Sequence, residues 1–351
     1  MAPADRELGL LPKQHVTAEA CEKIALVGAT DSYGEAAVLL ERLAGLSACA
    51  KEIQRITVAE GERAMALLEQ QENEARRAAA TPAEEHETVV LEMDGTCVLT
   101  QPSGPRGKTK RGTEKPQRCL GKEVKCATVF GLDQRVEPPA RPALTGRRYA
   151  ATSKGIDVFA MTIFALLLAA GGMKAKRIVV LGDGAAWIWN WARDWIGKWA
   201  LLGTIIVEIV DFCHAAEHLS ALSKQLFGEG SGAAGEWLET WRHRLKHGAI
   251  DALIDEMERL AGQWQSGKKR QACEAQLHYF REHRERMRYD RFAAAGLPIG
   301  SGAIEGTCKC LVKKRMAASG MHWGEEQIEP MVALRTVLFN GDWDELHQQA
   351  A

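Results

Sequence analysis

Apolar residues recur at helical spacing through the first eighty positions, then switch to strand-like alternation near residue 88. Residues 18 to 80 therefore read as helices. In SYGEAAVLLERLAG, Ala37, Leu40 and Leu43 share one face, Ser32 is placed to cap the start and Gly45 to stop the end. A short LSA turn and a longer helix over CAKEIQRITVAEGERAMALLEQQENEARR follow, with Lys51, Gln54 and Arg55 on the polar side. Both a helix-turn-helix DNA reader and a plain helical hairpin with no DNA role fit this pattern.

Past the proline-bearing linker AAATPAEEHE, three strands are expected, over TVVLEMDGTCVLT, EVKCATVFGLD and RRYAAT. The stretch between the first two is rich in Pro, Gly, Lys and Arg and reads as an exposed loop. Then come a helix (KGIDVFAMTIFALLLAAG), a strand (RIVVLGDG), a helix (AAWIWNWARDWIGKW) and a strand (TIIVEIVDF). This order predicts an α/β sheet, antiparallel in its first half and parallel in its second. Residues 213–290 are helical and heavily charged, AAAGLPIGSG is a break, and helices resume over AIEGTCKCLVKKRM and GEEQIEPMVALRTVLFN.

Composition narrows the class. The chain has 351 residues, 46% of them hydrophobic, and a net charge of -1, which points neither toward nor away from nucleic acid. The longest apolar stretch, Phe159 to Met173, is too short and Gly-broken to span a bilayer, so no membrane partner is expected. The start MAPADRELGL lacks the features of a signal peptide. Nine cysteines without a C-x-x-C suit a reducing cytoplasm.

The candidate chemistry lies in acids at element ends. Asp94 sits in the first strand, on the face opposite Val89, Leu91 and Met93 and shared with Val90 and Glu92. Asp183 follows RIVVLG and Asp211 ends IIVEIV, in the crevice where open α/β sheets bind ligands. Glu305 begins a helix after GSG. Strands one, four and five are neighbours in an RNase H-like sheet, so these acids can converge. Converging carboxylates repel unless a cation lies between them. Magnesium, or manganese, suits such oxygen ligands, and two ions about 4 Å apart serve phosphodiester cleavage. Each acid alone has a plainer reading as a turn or helix-start residue; their joint placement carries the argument.

MDGT, GDGAAWIW, DFCHAAEHL and GSGAIEGTCKCLVKKRM with SGMHW after it resemble the DDE-motif transposases of bacterial insertion sequences, of the ISKra type related to the mutator-like group. The resemblance runs from about Asp5 to Trp343. It implies an RNase H-like mixed sheet with a helical insertion, preceded by a small all-α region. The expected divisions are 1–86 (helical, helix-turn-helix-like and DNA-binding), 87–212 (first part of the catalytic core), 213–300 (all-helical insertion) and 301–340 (second part of the core, with the last acid). The triad falls on Asp94, Asp183 and Glu305, which would hold two Mg2+ or Mn2+ ions. Asp211 and His214 match the accompanying aspartate-x-x-histidine signature, Asp211 supporting the triad and His214 meeting the phosphate or moving a proton. The implied activity is cleavage of transposon ends and strand transfer into target DNA, by a homo-oligomer on double-stranded DNA in the bacterial cytoplasm and nucleoid. Family members are longer at the N-terminus, so a shortened gene or a late start is expected here. An inactive or truncated DNA-binding derivative is the alternative.

Other features suit DNA. Lys108, Lys110 and Arg111 lie in the basic loop, and Lys309, Lys313, Lys314 and Arg315 follow Glu305, with Lys309 and Lys313 on its face by four-residue spacing. Trp187, Trp191, Trp195 and Trp199 form a stripe suited to core packing, leaving Trp189 and Trp323 as candidates for DNA contact. His214-x-x-Glu217-His218 also fits a zinc peptidase pattern, but no third ligand is evident. Within the DNA-processing reading, Glu217 and His218 are expected to be ordinary helix residues.

Overall fold

The computed structural model describes residues 16–78, 86–101, 120–136, 143–144, 146–263 and 267–348. Its central sheet has five strands: β1 (Thr88–Leu99), β2 (Gly121–Gly131), β3 (Arg148–Thr152), β4 (Arg177–Gly182) and β5 (Ile205–Val210). They lie in the order β3-β2-β1-β4-β5. The β1–β2 and β2–β3 pairs are antiparallel, while β1–β4 and β4–β5 are parallel. The fold is α/β with a mixed sheet, antiparallel first and parallel second, as the alternation predicts.

The nearly continuous apolar runs of β1 and β4 follow from cover on both faces. On one face, Ala127, Val129 and Ala150 join a large core with Phe159, Ile163 and Leu167 of the helix that follows β3. On the other, Val124, Cys126 and Ala151 pack against Ile304, Cys308, Leu311 and Val312. Glu92 and Asp94 share the face of Cys126, which lies directly opposite Asp94. They therefore face the segment carrying Glu305.

Three helices precede the sheet: α1 (Ala18–Thr30), α2 (Tyr33–Ala44) and α3 (Ala50–Arg77). Ser32 caps α2 through the Glu35 N–H, and Gly45 ends it at φ 65°, as the sequence indicates. Helix α4 (Ile156–Ala169) leads into β4. The expected tryptophan helix divides into α5 (Ala186–Trp191), a widened π turn (Ala192–Ile196) and a tighter 3-10 segment (Gly197–Leu202). Trp195 and Trp199 both pack on Phe164, at 5.4 and 5.7 Å. Trp191 and Trp199 are buried, and Trp187 and Trp195 pack at the core margin. The stripe is a packing stripe.

Helices α6 (Phe212–Phe227), α7 (Gly232–Lys246), α8 (Ile250–Gly262), α9 (Lys268–Glu282) and α10 (Tyr289–Ala294) follow β5. The chain then returns to the sheet as α11 (Gly302–Thr307), a π turn (Cys308–Lys313) and α12 (Lys314–Met316), before α13 (Glu325–Asn340) and a short α14 (Trp343–Gln348). Helix α13 closes the free edge of β3. Its Asn340 accepts from Tyr149 N–H (2.8 Å) and donates to Tyr149 C=O (3.1 Å), and Glu329 accepts from Ser153 N–H (2.6 Å). Helix α3 lies along α13 so closely that a Cβ on Gly61 would stand 2.4 Å from the Pro330 carbonyl oxygen. Among the described residues no helix is long and apolar enough to cross a membrane.

Buried Arg335 of α13 binds backbone carbonyls of the π turn after α11. It donates to Leu311 C=O, to Cys310 C=O (2.5 Å) and to Ala29 C=O at the end of α1. Arg315 donates to Gly28 C=O at 2.9 Å. Burial lowers the pKa of both guanidinium groups, that of Arg335 to about 10. Carbonyl dipoles stand in for the missing counter-charge.

Arg335→Ala is expected to lower the unfolding free energy by about 3 kcal/mol or more, because buried carbonyls lose charged donors. Arg335→Lys should recover only part, since an ammonium cannot fork toward three carbonyls. Urea denaturation measures both; an unchanged midpoint for the alanine variant would contradict this role.

Candidate active site at the carboxyl ends of the parallel strands

Parallel pairing brings three aspartates into one row. Met93 pairs with Gly182, and Gly182 with Val210. Asp94, Asp183 and Asp211 each come one residue later, and the Asp211 N–H donates to Gly182 C=O at 2.8 Å. Strand β1 runs on past Asp94 paired with β2, while its parallel pairing with β4 stops at Met93, so Asp94 stands where its parallel neighbour ends. This is the crevice where α/β sheets place ligands.

Each aspartate commits one oxygen to a backbone N–H one or two residues further on. Asp94 Oδ1 accepts from Gly95 N–H (2.6 Å), Asp183 Oδ1 from Ala185 N–H (2.8 Å) and Asp211 Oδ1 from Cys213 N–H (2.8 Å). The Asp211 contact caps α6. Asp211 Oδ2 accepts from the Ser301 hydroxyl (2.5 Å), and Asp94 Oδ2 lies 3.8 Å from Cys308 Sγ. Burial pushes the Asp94 pKa up, and the charge of Asp183 adds to that rise; the Gly95 hydrogen bond and Lys313 oppose it.

Glu305 is exposed on α11. Two contacts dock that short helix. Glu92, 2% exposed, accepts from Ile304 N–H at 2.8 Å, and Ser301 binds Asp211. The Cys213 thiol has a raised pKa, first from burial and then from the charges of Asp211 and Glu305. The four acids thus share one end of the sheet. Among the described residues, however, no group of three His, Cys, Asp or Glu side chains is gathered tightly enough to hold a metal ion. That applies to Asp94, Asp183 and Glu305 and equally to His214, Glu217 and His218.

His214 follows the Asp211 cap, its Nδ1 3.5 Å from Glu217. The expectation that His218 is an ordinary helix residue is corrected. Its ring stacks on Tyr279 at 3.8 Å and 14°, its Nδ1 meets Gln276 Oε1 at 2.7 Å, and burial lowers its pKa. Glu217 is exposed.

Lys309, Lys313 and Lys314 are exposed, and Lys313 is near enough to Asp94 to act on its ionisation. Three other DNA-contact expectations are corrected. Arg315 is 2% exposed, bound to Gly28 C=O, with its guanidinium 4.6 Å from the Tyr33 ring and 4.9 Å from the Trp323 ring. Trp323 is 3% exposed; its indole N–H donates to Met316 C=O, and its backbone bridges to the end of β1. Trp189 is buried beneath Arg286, 4.6 Å from its ring. Lys108, Lys110 and Arg111 lie outside the described residues.

Sequence reasoning passed over the roles of Glu92, Ser301, Tyr279 and His283. Only Glu92 gave a signal, as a second acid on the Asp94 face of a strongly apolar strand. No protein-family model and no curated protein matches the chain.

A carboxyl whose pKa is higher folded than unfolded holds its proton more tightly in the native state. Its contribution to stability is therefore best at low pH and worsens as pH rises through that interval. Asp94→Asn keeps an acceptor for Gly95 N–H and removes the charge. It is expected to melt above wild type at neutral pH in metal-free buffer, with the gain shrinking on acidification. A variant that melts lower at neutral pH would contradict the electrostatic cost.

Proposed function

We propose that this protein is a DDE-type transposase of an insertion sequence, cutting DNA at transposon ends and joining them to a target through metal-dependent phosphodiester chemistry. The observation that carries this reading is the row of Asp94, Asp183 and Asp211, with the Glu305 helix docked beside it by Glu92 and Ser301. The sheet order, with an antiparallel trio continued by two parallel strands, is the arrangement expected of an RNase H-like core.

By chemistry, though not gathered as they stand, the donors suit Mg2+ or Mn2+. Asp94, Asp183 and Glu305 offer hard carboxylate oxygens, and burial, with the Asp183 charge adding to it, raises the Asp94 pKa. When bound, such ions supply an activated attacking oxygen and charge stabilisation at the leaving oxygen. The chain's own residues do the rest. Asp94, within β1, and Asp183, just past the end of β4, hold their carboxylates at positions fixed by the strand register. Asp211 ties α6 to the Ser301 turn and so keeps Glu305 at the site. His214, at the start of α6, is placed to meet a phosphate or exchange a proton at a ring nitrogen. Lys309, Lys313 and Lys314 receive the DNA backbone on the same side, adding a salt-dependent contribution to binding. Action as a homo-oligomer on paired double-stranded ends belongs to the same reading.

The test is cleavage of duplex DNA bearing the terminal repeats that flank the gene, with Mg2+ or Mn2+. Asp94→Ala, Asp183→Ala and Glu305→Ala should each slow cleavage by more than about a hundredfold, since even outer-shell changes at metal sites cost 10–100-fold. Binding should survive. Variants that cut as fast as wild type would refute the assignment, and binding without any cutting by wild type would favour a non-catalytic DNA-binding derivative. Replacing Lys309, Lys313 or Lys314 by Ala should lower the salt slope of DNA binding by about one each.

A further inference from the structure

The helical insertion comes back to the sheet at the Asp183 turn. Gly184 adopts φ +102°, and a Cβ there would lie 3.0 Å from the Tyr279 ring and 3.4 Å from His283 Nε2. The end of α9 is therefore sealed against the turn. The Tyr279 hydroxyl donates to Asp183 C=O at 3.3 Å, and His283 hydrogen-bonds the Gly184 backbone. Both side chains are themselves held. Tyr279 lies flat on His218 of α6, which Gln276 fixes. His283 is 2% exposed and its Nδ1 meets Arg286 Nη1 at 3.2 Å. Arg286 in turn pairs with Glu208 of β5 at 2.6 Å and covers Trp189. Side chains of α6, α9, β5 and the turn after α9 thus end on the two peptide groups that carry the Asp183 carboxylate.

The geometry points to Tyr279 and His283 as positioning residues for Asp183: gripping the Asp183–Gly184 turn from the insertion, they set the direction of its carboxylate toward Asp94. The insertion is then part of the active site's framework, not an appended module. This inference rests on the reading of Asp94 and Asp183 as metal-holding acids. It explains why glycine follows Asp183. A side chain at that position would both strain the backbone and push Tyr279 off the turn.

The test is Mn2+ binding to the full chain without DNA, followed by electron paramagnetic resonance, beside the Mn2+ dependence of cleavage. Tyr279→Phe keeps the ring on His218 and loses only the hydroxyl. It should weaken Mn2+ binding about tenfold, in the range of outer-shell losses, and raise the Mn2+ needed for half-maximal cleavage more than it lowers the saturated rate. His283→Leu should do the same, and His283→Gln, which keeps a donor near the Nε2 position, should recover much of the loss. Wild-type Mn2+ affinity in folded Tyr279→Phe and His283→Leu would overturn the inference while leaving the metal reading intact, provided Asp183→Ala loses the ion. Wild-type protein that binds no Mn2+ would overturn both.

Discussion

The pairing of Met93 with Gly182 and of Gly182 with Val210 decides where three carboxylates stand. Side chains alternate along a strand, so a slip of one residue would send its aspartate to the opposite face and its apolar neighbours into packing shaped for other side chains. The register is therefore protected by hydrophobic burial: Val89, Leu91 and Met93 in β1 and Ile178, Val180 and Leu181 in β4 are fully enclosed. Core packing and site geometry are one constraint. What keeps the apolar residues inside also keeps the acids level at the sheet's end.

That alignment is electrostatically uphill. The raised Asp94 pKa arises from burial and from the neighbouring Asp183 charge, and neither is relieved by an arginine or lysine in direct ion-pair contact among the described residues. Local hydrogen bonds soften the cost. Each aspartate accepts one backbone N–H from one or two residues further on, which helps fix its rotamer; the second oxygen of Asp94 lies by Cys308 Sγ and that of Asp211 accepts from Ser301. Perturbed ionisation of this kind clusters at functional sites, where local geometry is kept at some cost in stability.

The sheet was legible from the sequence because strand identity depends on local alternation, and three of the acids were legible because each closes or interrupts an apolar run. Arg315 and Trp323 were misread for one shared reason. Arg315 follows Lys313 and Lys314, and a basic run looks like a solvated face; the π turn before it alters the helical phase and turns that side chain inward against Tyr33 and Trp323. A π turn has no local signature comparable to a cap or a proline. Glu92 was placed on the correct face, but its partner, Ile304, lies 212 residues away and no periodicity links them. Tyr279 and His283 sat in a charged helix whose pattern announced only solvent exposure. His218 was dismissed with its helix because the stacking surface under it comes from α9.

The π turn also ties together regions distant in the chain. Its carbonyls at Cys310 and Leu311 and the terminal carbonyls of α1 at Gly28 and Ala29 all accept from two buried arginines, and α13 supplies one of them. Without those carbonyls Arg335 would be a buried charge with little to bind. Through them, the end of α1 and the segment bearing Lys309 and Lys313 are fastened to the same side chains. A displacement of the N-terminal helices must therefore either move the lysine face beside Asp94 or break hydrogen bonds from a buried guanidinium. The second is costly enough that the N-terminal helices and the Glu305 side of the site are expected to move together.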